Sequence, residues 1–258
     1  MYENILVDRE GPLAFISFNR PRVLNAMNQR TKEEVLAVLR ELEEDEDVRV
    51  VIFRGAGDKA FVAGADVKEF VGVRPMEQRE ARRRLRFYET VASYSKPVIA
   101  MIKGYCLGGG CELALACDLR LASRDARIGQ PEINLGVIPG GGGSQRLPRL
   151  IGEGKALQLI LTGDIITGEE AKAIGLVEEV YPEEELETKT KELAMKIAEK
   201  SPVAVRLALE AVRAASRMDL QAGLEYEAVL FSLLFSTEDK EEGVQAFLEK
   251  RKPSFKGK

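Results

Sequence analysis

Residues 104–145 read GYCLGGGCELALACDLRLASRDARIGQPEINLGVIPGGGGSQ, and the rest of the 258-residue chain is organised around them. The glycine triplet Gly108–Gly110 opens into a helix-like run, Glu112–Cys117. Glu112 follows the triplet by two residues. A second carboxylate, Glu132, follows Gln130-Pro131 and precedes the glycine loop Pro139–Gly143. Glycine lets a backbone approach a ligand closely and take φ > 0. A helix N-terminus presents free N–H groups and partial positive charge. Together these features predict a pocket where backbone amides hold a developing oxyanion beside two carboxyl groups able to move protons. A glutamate inside an apolar run is costly unless paired or functional, and burial raises its pKa. Two other uses of the glycines fit poorly. Pro139–Gly143 lacks the Lys-Ser/Thr ending of a phosphate loop, and no acidic ribose-binding residue stands in the right context for a dinucleotide fold.

Upstream, PVIAMI (97–102) reads as a buried strand leading into the focal stretch, and VRVVIFR (48–54) as another. Each leads to a small-residue turn, at 104–110 and 63–66, with the helix after the latter beginning near Asp66, which could be its N-cap. Two strand–turn–helix units so arranged hint at a stacked ββα repeat. Residues 3–8 and 13–18 read as strands around Gly11-Pro12. TKEEVLAVLRELEE (31–44) reads as a helix, capped by Thr31 with Glu34 three residues on. Residues 77–94 form a basic helix carrying Arg79, Arg82, Arg83, Arg84 and Arg86, by default a solvated face. Downstream we expect helices at 144–150, 153–162, 168–173 and 183–200 and a strand at 176–180. Ser201-Pro202 marks a boundary, with Ser201 as cap and Pro202 in the first turn. Helices follow at 202–216, 219–235 and 238–250. The run Val229–Phe235 is apolar nearly all round, which places it deep between helices or in a subunit interface.

Histidine is absent, which excludes a Ser-His-Asp triad, a Cys-His pair and a His general base. Acid–base chemistry near neutral pH then falls to carboxylates, Lys, Tyr or Cys, or to a metal. The formal net charge of −4 argues against a broad nucleic-acid surface. Cys106, Cys111 and Cys117 lie in one apolar segment, without paired CxxC knuckles for zinc. They are expected to be buried free thiols in a reducing cytoplasm. The stretch MYENILVDREGPLAF lacks the basic region and apolar core expected of a secretory signal, and no run approaches the roughly 20 apolar residues that span a bilayer.

Over essentially its full length the chain resembles the crotonase (enoyl-CoA hydratase) superfamily. The resemblance rests on NRPRVLNAM (19–27), AFVAGADVKEF (60–70), KPVIAMIKGYCLGGGCELALACD (96–118), IGQPEINLGVIPGGGGSQRLPRLIG (128–152), LTGDIITGEEAKAIGLV (161–177) and FLEKRKPSF (247–255). It implies an α/β fold: a spiral of stacked ββα turns as catalytic core over residues 1–200, followed by a helical oligomerisation segment over 201–258. It implies that the amides of Ala65 and Gly109 form an oxyanion hole for a thioester carbonyl. Coenzyme A would be wrapped by Ala63, Gly64, Ala65, Asp66, Val67 and Lys68, with Lys68 near its phosphates, and Arg22, Val23 and Gly140 would add to the substrate site. Glu112 and Glu132 match the two glutamates that hold the reacting water in the hydratase branch, whereas the isomerase branch typically lacks the first.

The implied reaction is addition of water across a trans-2-enoyl-CoA, in fatty acid or related acyl-CoA metabolism. No metal and no separate cofactor are needed, because CoA arrives with the substrate. The implied partners are an acyl-CoA thioester and further copies of the chain, as a homotrimer or homohexamer. Neither nucleic acid nor a membrane is expected. Rival readings are isomerisation of an enoyl-CoA, a specialised branched-chain hydratase or dehydratase, a carboxylate-pair glycosidase, which the absence of Trp disfavours, and an RNA-binding member of the fold.

Overall fold

The computed structural model describes residues 2–258; Met1, the first residue of the expected core segment, lies outside them. The strands are β1 (Ile5–Glu10), β2 (Leu13–Phe18), β3 (Val50–Gly55), β4 (Ala60–Val62), β5 (Val98–Ile102), β6 (Tyr105–Leu107), β7 (Leu119–Ser123), β8 (Arg127–Gly129), β9 (Ile165–Thr167) and β10 (Glu179–Tyr181). The helices are α1 (Gln29–Glu44), α2 (Pro75–Leu85), α3 (Phe87–Ala92), α4 (Gly109–Ala116), α5 (Gly143–Ile151), α6 (Glu153–Thr162), α7 (Gly168–Ala173), α8 (Glu183–Ala198), α9 (Pro202–Ala214), α10 (Leu220–Leu234) and α11 (Glu238–Glu249).

Among the described residues the strands form two sheets, one in the order β1-β2-β3-β5-β7-β10 and one in the order β4-β6-β8-β9. The repeat hinted at in the sequence is visible in that order. In each of the pairs β3/β4, β5/β6 and β7/β8 the first strand joins the larger sheet and the second joins the smaller. Successive first strands pair in parallel, Ile52 opposite Ile99 and Ile99 opposite Leu119. Successive second strands do the same, Cys106 lying opposite Ile128. Parallel strands covered on both faces need continuous apolar runs, and β2 and β5 are buried at every position. One face packs Phe15, Val50, Ile52 and Ile99 against Leu186 and Ala194 of α8. The other packs Ile16, Val51 and Phe53 with the apolar stripe of α1 and with α4.

Three local expectations are corrected. Helix α1 is capped by Asn28, whose side chain accepts from Thr31 N at 2.8 Å, so Thr31 lies inside the helix. Glu34 does not close a capping box. Its buried carboxylate accepts instead from Glu3 N at 3.0 Å and Asn4 N at 2.8 Å, tying α1 to the start of β1. The basic helix is broken at Arg86, which takes φ of +45° and separates α2 from α3. In addition, the segment after Asp66 is a short 3-10 turn, Val67–Phe70, with the Asp66 side chain capping it at Lys68 N (3.4 Å).

Ser201 caps α9 through Ala204 N at 3.3 Å, with Pro202 in the first turn, as expected. Arg213 of α9 reaches back to Asp118, with Nη2 2.6 Å and Nε 3.1 Å from Oδ1, and donates to the Tyr94 carbonyl at 2.8 Å. In α10, Leu230 is buried, whereas Val229, Phe231 and Leu233, and Phe235 just after the helix, are exposed on the single chain. Among the described residues no helix is long and apolar enough to cross a membrane.

Candidate functional site

The site is assembled where α4 begins. Gly110 packs so tightly on β4 that an added Cβ would collide with the Val62 carbonyl, so only glycine lets the helix dock there. Gly108, with φ of +49°, makes the turn into the helix. An atom added at the Gly109 Cα would stand 3.3 Å from Ala65 N, so this side of the helix start faces the 63–66 loop. Among the described residues, neither the Ala65 nor the Gly109 amide has a hydrogen-bond acceptor outside regular structure. Two neighbouring donors left free beside a helix N-terminus are what an oxyanion needs.

The 63–66 loop is held by the segment after β2. Ala63 N donates to Leu24 O at 3.0 Å, Met27 N to Gly64 O at 2.9 Å and Asp66 N to Met27 O at 2.9 Å. Leu24 and Asn25 both adopt positive φ, a conformation that costs a residue with a Cβ. Asn25 secures it, with its amide donating to Ala56 O at 3.0 Å and Ala60 O at 2.8 Å. Asp66 is paired with Arg20 at 3.0 Å, and that hydrogen bond holds its carboxyl below the usual range. Its side chain is therefore engaged within the protein. Arg22, Val23, Val67, Lys68 and Gly140 are exposed. Arg22, Val23, Val67 and Lys68 belong to the two laced segments.

Glu112 lies in the first turn of α4 and is 3% exposed. Its Oε1 accepts from Gly141 N at 2.6 Å and Gly143 N at 2.9 Å, which orients the carboxylate on the 139–143 loop. Its Oε2 has no donor among the described residues and faces Gly141, where an added Cβ would stand 2.6 Å away. Burial raises its pKa, and the two amides pull it back. Glu132 lies in the 3-10 turn Pro131–Leu135, with Oε1 3.3 Å from where a Gly108 Cβ would stand. With the amide nitrogen turned toward it, Gln130 donates to Oε1 at 2.9 Å and Oε2 at 3.1 Å. Burial first, and the Glu112 charge after it, push Glu132 up to about 7. One carboxyl is thus anchored by amides while the other titrates near neutrality.

Sequence reasoning missed three members of the site. Tyr88 of α3 puts its hydroxyl 2.9 Å from where a Gly109 Cβ would be, and its ring would overlap a Cβ at Gly141. Arg146 of α5 donates to Gly141 O at 3.0 Å and to Tyr88 O at 3.5 Å, holding the glycine loop and α3 together. Gln130 had only its place before Pro131 to mark it. Tyr88 was hidden among arginines that read as a solvated face. The buried cysteines 106, 111 and 117 are free. Among the described residues no group of three or more His, Cys, Asp or Glu side chains is placed to hold a metal ion.

Known proteins share this arrangement of chain. The family described as Enoyl-CoA hydratase/isomerase matches residues 8–258. A crotonyl-CoA hydratase of Syntrophomonas wolfei is 44% identical over 255 residues, 98% of each chain. A short-chain-enoyl-CoA hydratase of Clostridium acetobutylicum is 45% identical over 256 residues, 96% of each chain. The crystal structure of an enoyl-CoA hydratase from Bacillus anthracis superposes with a TM-score of 0.95 at 47% identity, covering 99% of this chain and 100% of that one.

Proposed function

Since this chain belongs to the enoyl-CoA hydratase/isomerase family and is an enzyme of the enoyl-CoA hydratase type, we propose that Glu112 and Glu132 are its acid–base pair and the Ala65 and Gly109 amides its oxyanion hole. The observation that supports this most is the convergence of two free amides and two differently tuned carboxyls on the start of one helix.

The substrate thioester oxygen accepts from both amides, and negative charge builds on it as water adds. A single donor of this kind contributes on the order of 3 kcal/mol to the transition state. Glu112, ionised and anchored through Oε1, takes a proton from water at Oε2 as the water oxygen bonds to C3. Glu132, protonated at pH values below about 7, delivers a proton to C2. Dehydration runs the same steps in reverse. CoA lies along Arg22, Val23, the 63–68 segment and Gly140, with Lys68 near its phosphates, and its binding energy orients the acyl group.

The acyl group is short, as in the named crotonyl-CoA and short-chain relatives. The reaction serves fatty acid or related acyl-CoA metabolism in the cytoplasm and needs no cofactor beyond the CoA of the substrate. The helical segment 201–258 joins copies into trimers or hexamers. Its exposed Phe231, Leu233, Phe247 and Leu248 favour that reading. The test is the loss of crotonyl-CoA absorbance with identification of the product. The expected result is 3-hydroxybutyryl-CoA from the wild type, and a several-fold higher KM for Lys68→Ala. Turnover of 3-enoyl but not 2-enoyl thioesters would move the chain to the isomerase branch.

A further inference from the structure

Tyr88 stands inside the site, and the acid–base scheme gives it nothing to do. Its ring spans the space between Glu112 and the hole. An atom added at Gly141 would overlap ring Cε2 and stand 2.6 Å from Glu112 Oε2. An atom added at Gly109 would stand 2.9 Å from the Tyr88 hydroxyl and 3.3 Å from Ala65 N. The hydroxyl end is therefore aimed at the hole and the ring edge at the carboxylate. Among the described residues no group accepts a hydrogen bond from that hydroxyl. The backbone of Tyr88 is held by Arg146, and its ring meets Phe87 edge-on with centroids 5.1 Å apart. Burial, then the charges of Glu112 and Glu132, hold the phenol well above its ordinary pKa, so it is a donor at any working pH. A phenol donor with no acceptor in the protein is open to an oxygen that a ligand supplies.

We propose that Tyr88 is a catalytic residue whose hydroxyl donates a third hydrogen bond to the thioester oxygen, beside the Ala65 and Gly109 amides. This rests on the hydratase reading above. The phenol bond strengthens as charge collects on the oxygen, because hydrogen bonds to charged acceptors are roughly twice as strong as neutral ones. It thus stabilises the transition state more than the bound substrate and acts on kcat rather than KM. The proton stays on Tyr88 throughout; C2 is protonated by Glu132.

The experiment compares wild type, Tyr88→Phe and Tyr88→Ala in two readouts. The first is kcat and KM on crotonyl-CoA. The second is the infrared carbonyl band of bound 3-hydroxybutyryl-CoA carrying carbon-13 at the thioester. We expect Tyr88→Phe to lower kcat about 10- to 100-fold, a little less than loss of a backbone-type donor, with KM within about threefold, and to move the carbonyl band to higher wavenumber. Tyr88→Ala adds the loss of ring packing and raises KM as well. Wild-type kcat and an unmoved band in Tyr88→Phe overturn the proposal. So does a lower KM with unchanged kcat, which would make the hydroxyl an occupant of the hole that substrate must displace. If the wild type hydrates no enoyl thioester, the hydratase reading falls, and the carbonyl band still decides whether Tyr88 donates to a bound thioester.

Discussion

In the proposed scheme Glu132 and Glu112 divide the work because their surroundings differ. Glu132, pushed up to about 7 by burial and by the Glu112 charge, is half-buried and is held by the Gln130 side chain rather than by the two loop amides that anchor Glu112. As the acid toward C2 it must be protonated, so hydration is expected to fall as pH rises through about 7. On the acid side hydration falls as Glu112 becomes protonated. A bell-shaped kcat/KM profile that loses its alkaline limb in Glu132→Gln would show this. Stability follows the same titration. A carboxyl whose folded pKa lies above its ordinary 4.5 stabilises the fold below that value and loses this contribution as pH rises to about 7. Glu132→Gln is therefore expected to melt above the wild type at pH 8, with the gap closing toward pH 4. Equal melting temperatures at pH 8 would contradict the shift. Glu112 was legible in the sequence as a charge inside an apolar run. The tuning of Glu132 was not, because it comes from segments that meet only in space.

At the scale of elements, the junction of α4 with β4 positions the proposed hole. Gly110→Ala drives a methyl group into the Val62 carbonyl. It is expected to cost at least about 3 kcal/mol, the range of severe overpacking, and denaturant unfolding would measure it. Arg146 holds the loop that presents Gly141 and Gly143 to Glu112. Arg146→Gln is expected to lower kcat about tenfold or more through misplaced groups, with the fold retained by circular dichroism. The stacked ββα repeat was readable because β-branched runs recur before small-residue turns. The cap of α1 was misread because Asn28 and Thr31 are both good capping residues, and Glu34 is used by the amides of Glu3 and Asn4 instead. The break at Arg86, at φ of +45°, had no Gly or Pro to announce it.

Across the whole molecule, the C-terminal helices leave large apolar side chains uncovered. Phe231 is 62% and Phe247 82% exposed on the single chain. The proposed assembly would cover them. Phe231→Glu together with Phe247→Glu is expected to give a smaller species in analytical ultracentrifugation, whereas an unchanged sedimentation coefficient would remove these side chains from the interface. The segment is tied to the core through Arg213 and Asp118. Asp118→Asn, which leaves a largely buried guanidinium without its countercharge, is expected to cost on the order of 3 kcal/mol. Sequence patterning revealed the apolarity of residues 229–235 but not what it faces. The contact between residues 118 and 213 was invisible because nothing local encodes a pairing across 95 positions.

The central proposal is that Glu112, as base toward the water, and Glu132, as acid toward C2, act as a unit. The direct measurement is crotonyl-CoA hydration by wild type, Glu112→Gln, Glu132→Gln and the double variant, each checked for wild-type folding. The account predicts that each single change lowers kcat by about a thousandfold or more and that the double change costs little beyond either one, as for groups that work together. A single variant retaining near-wild-type kcat, or losses that multiply fully in the double variant, would contradict it.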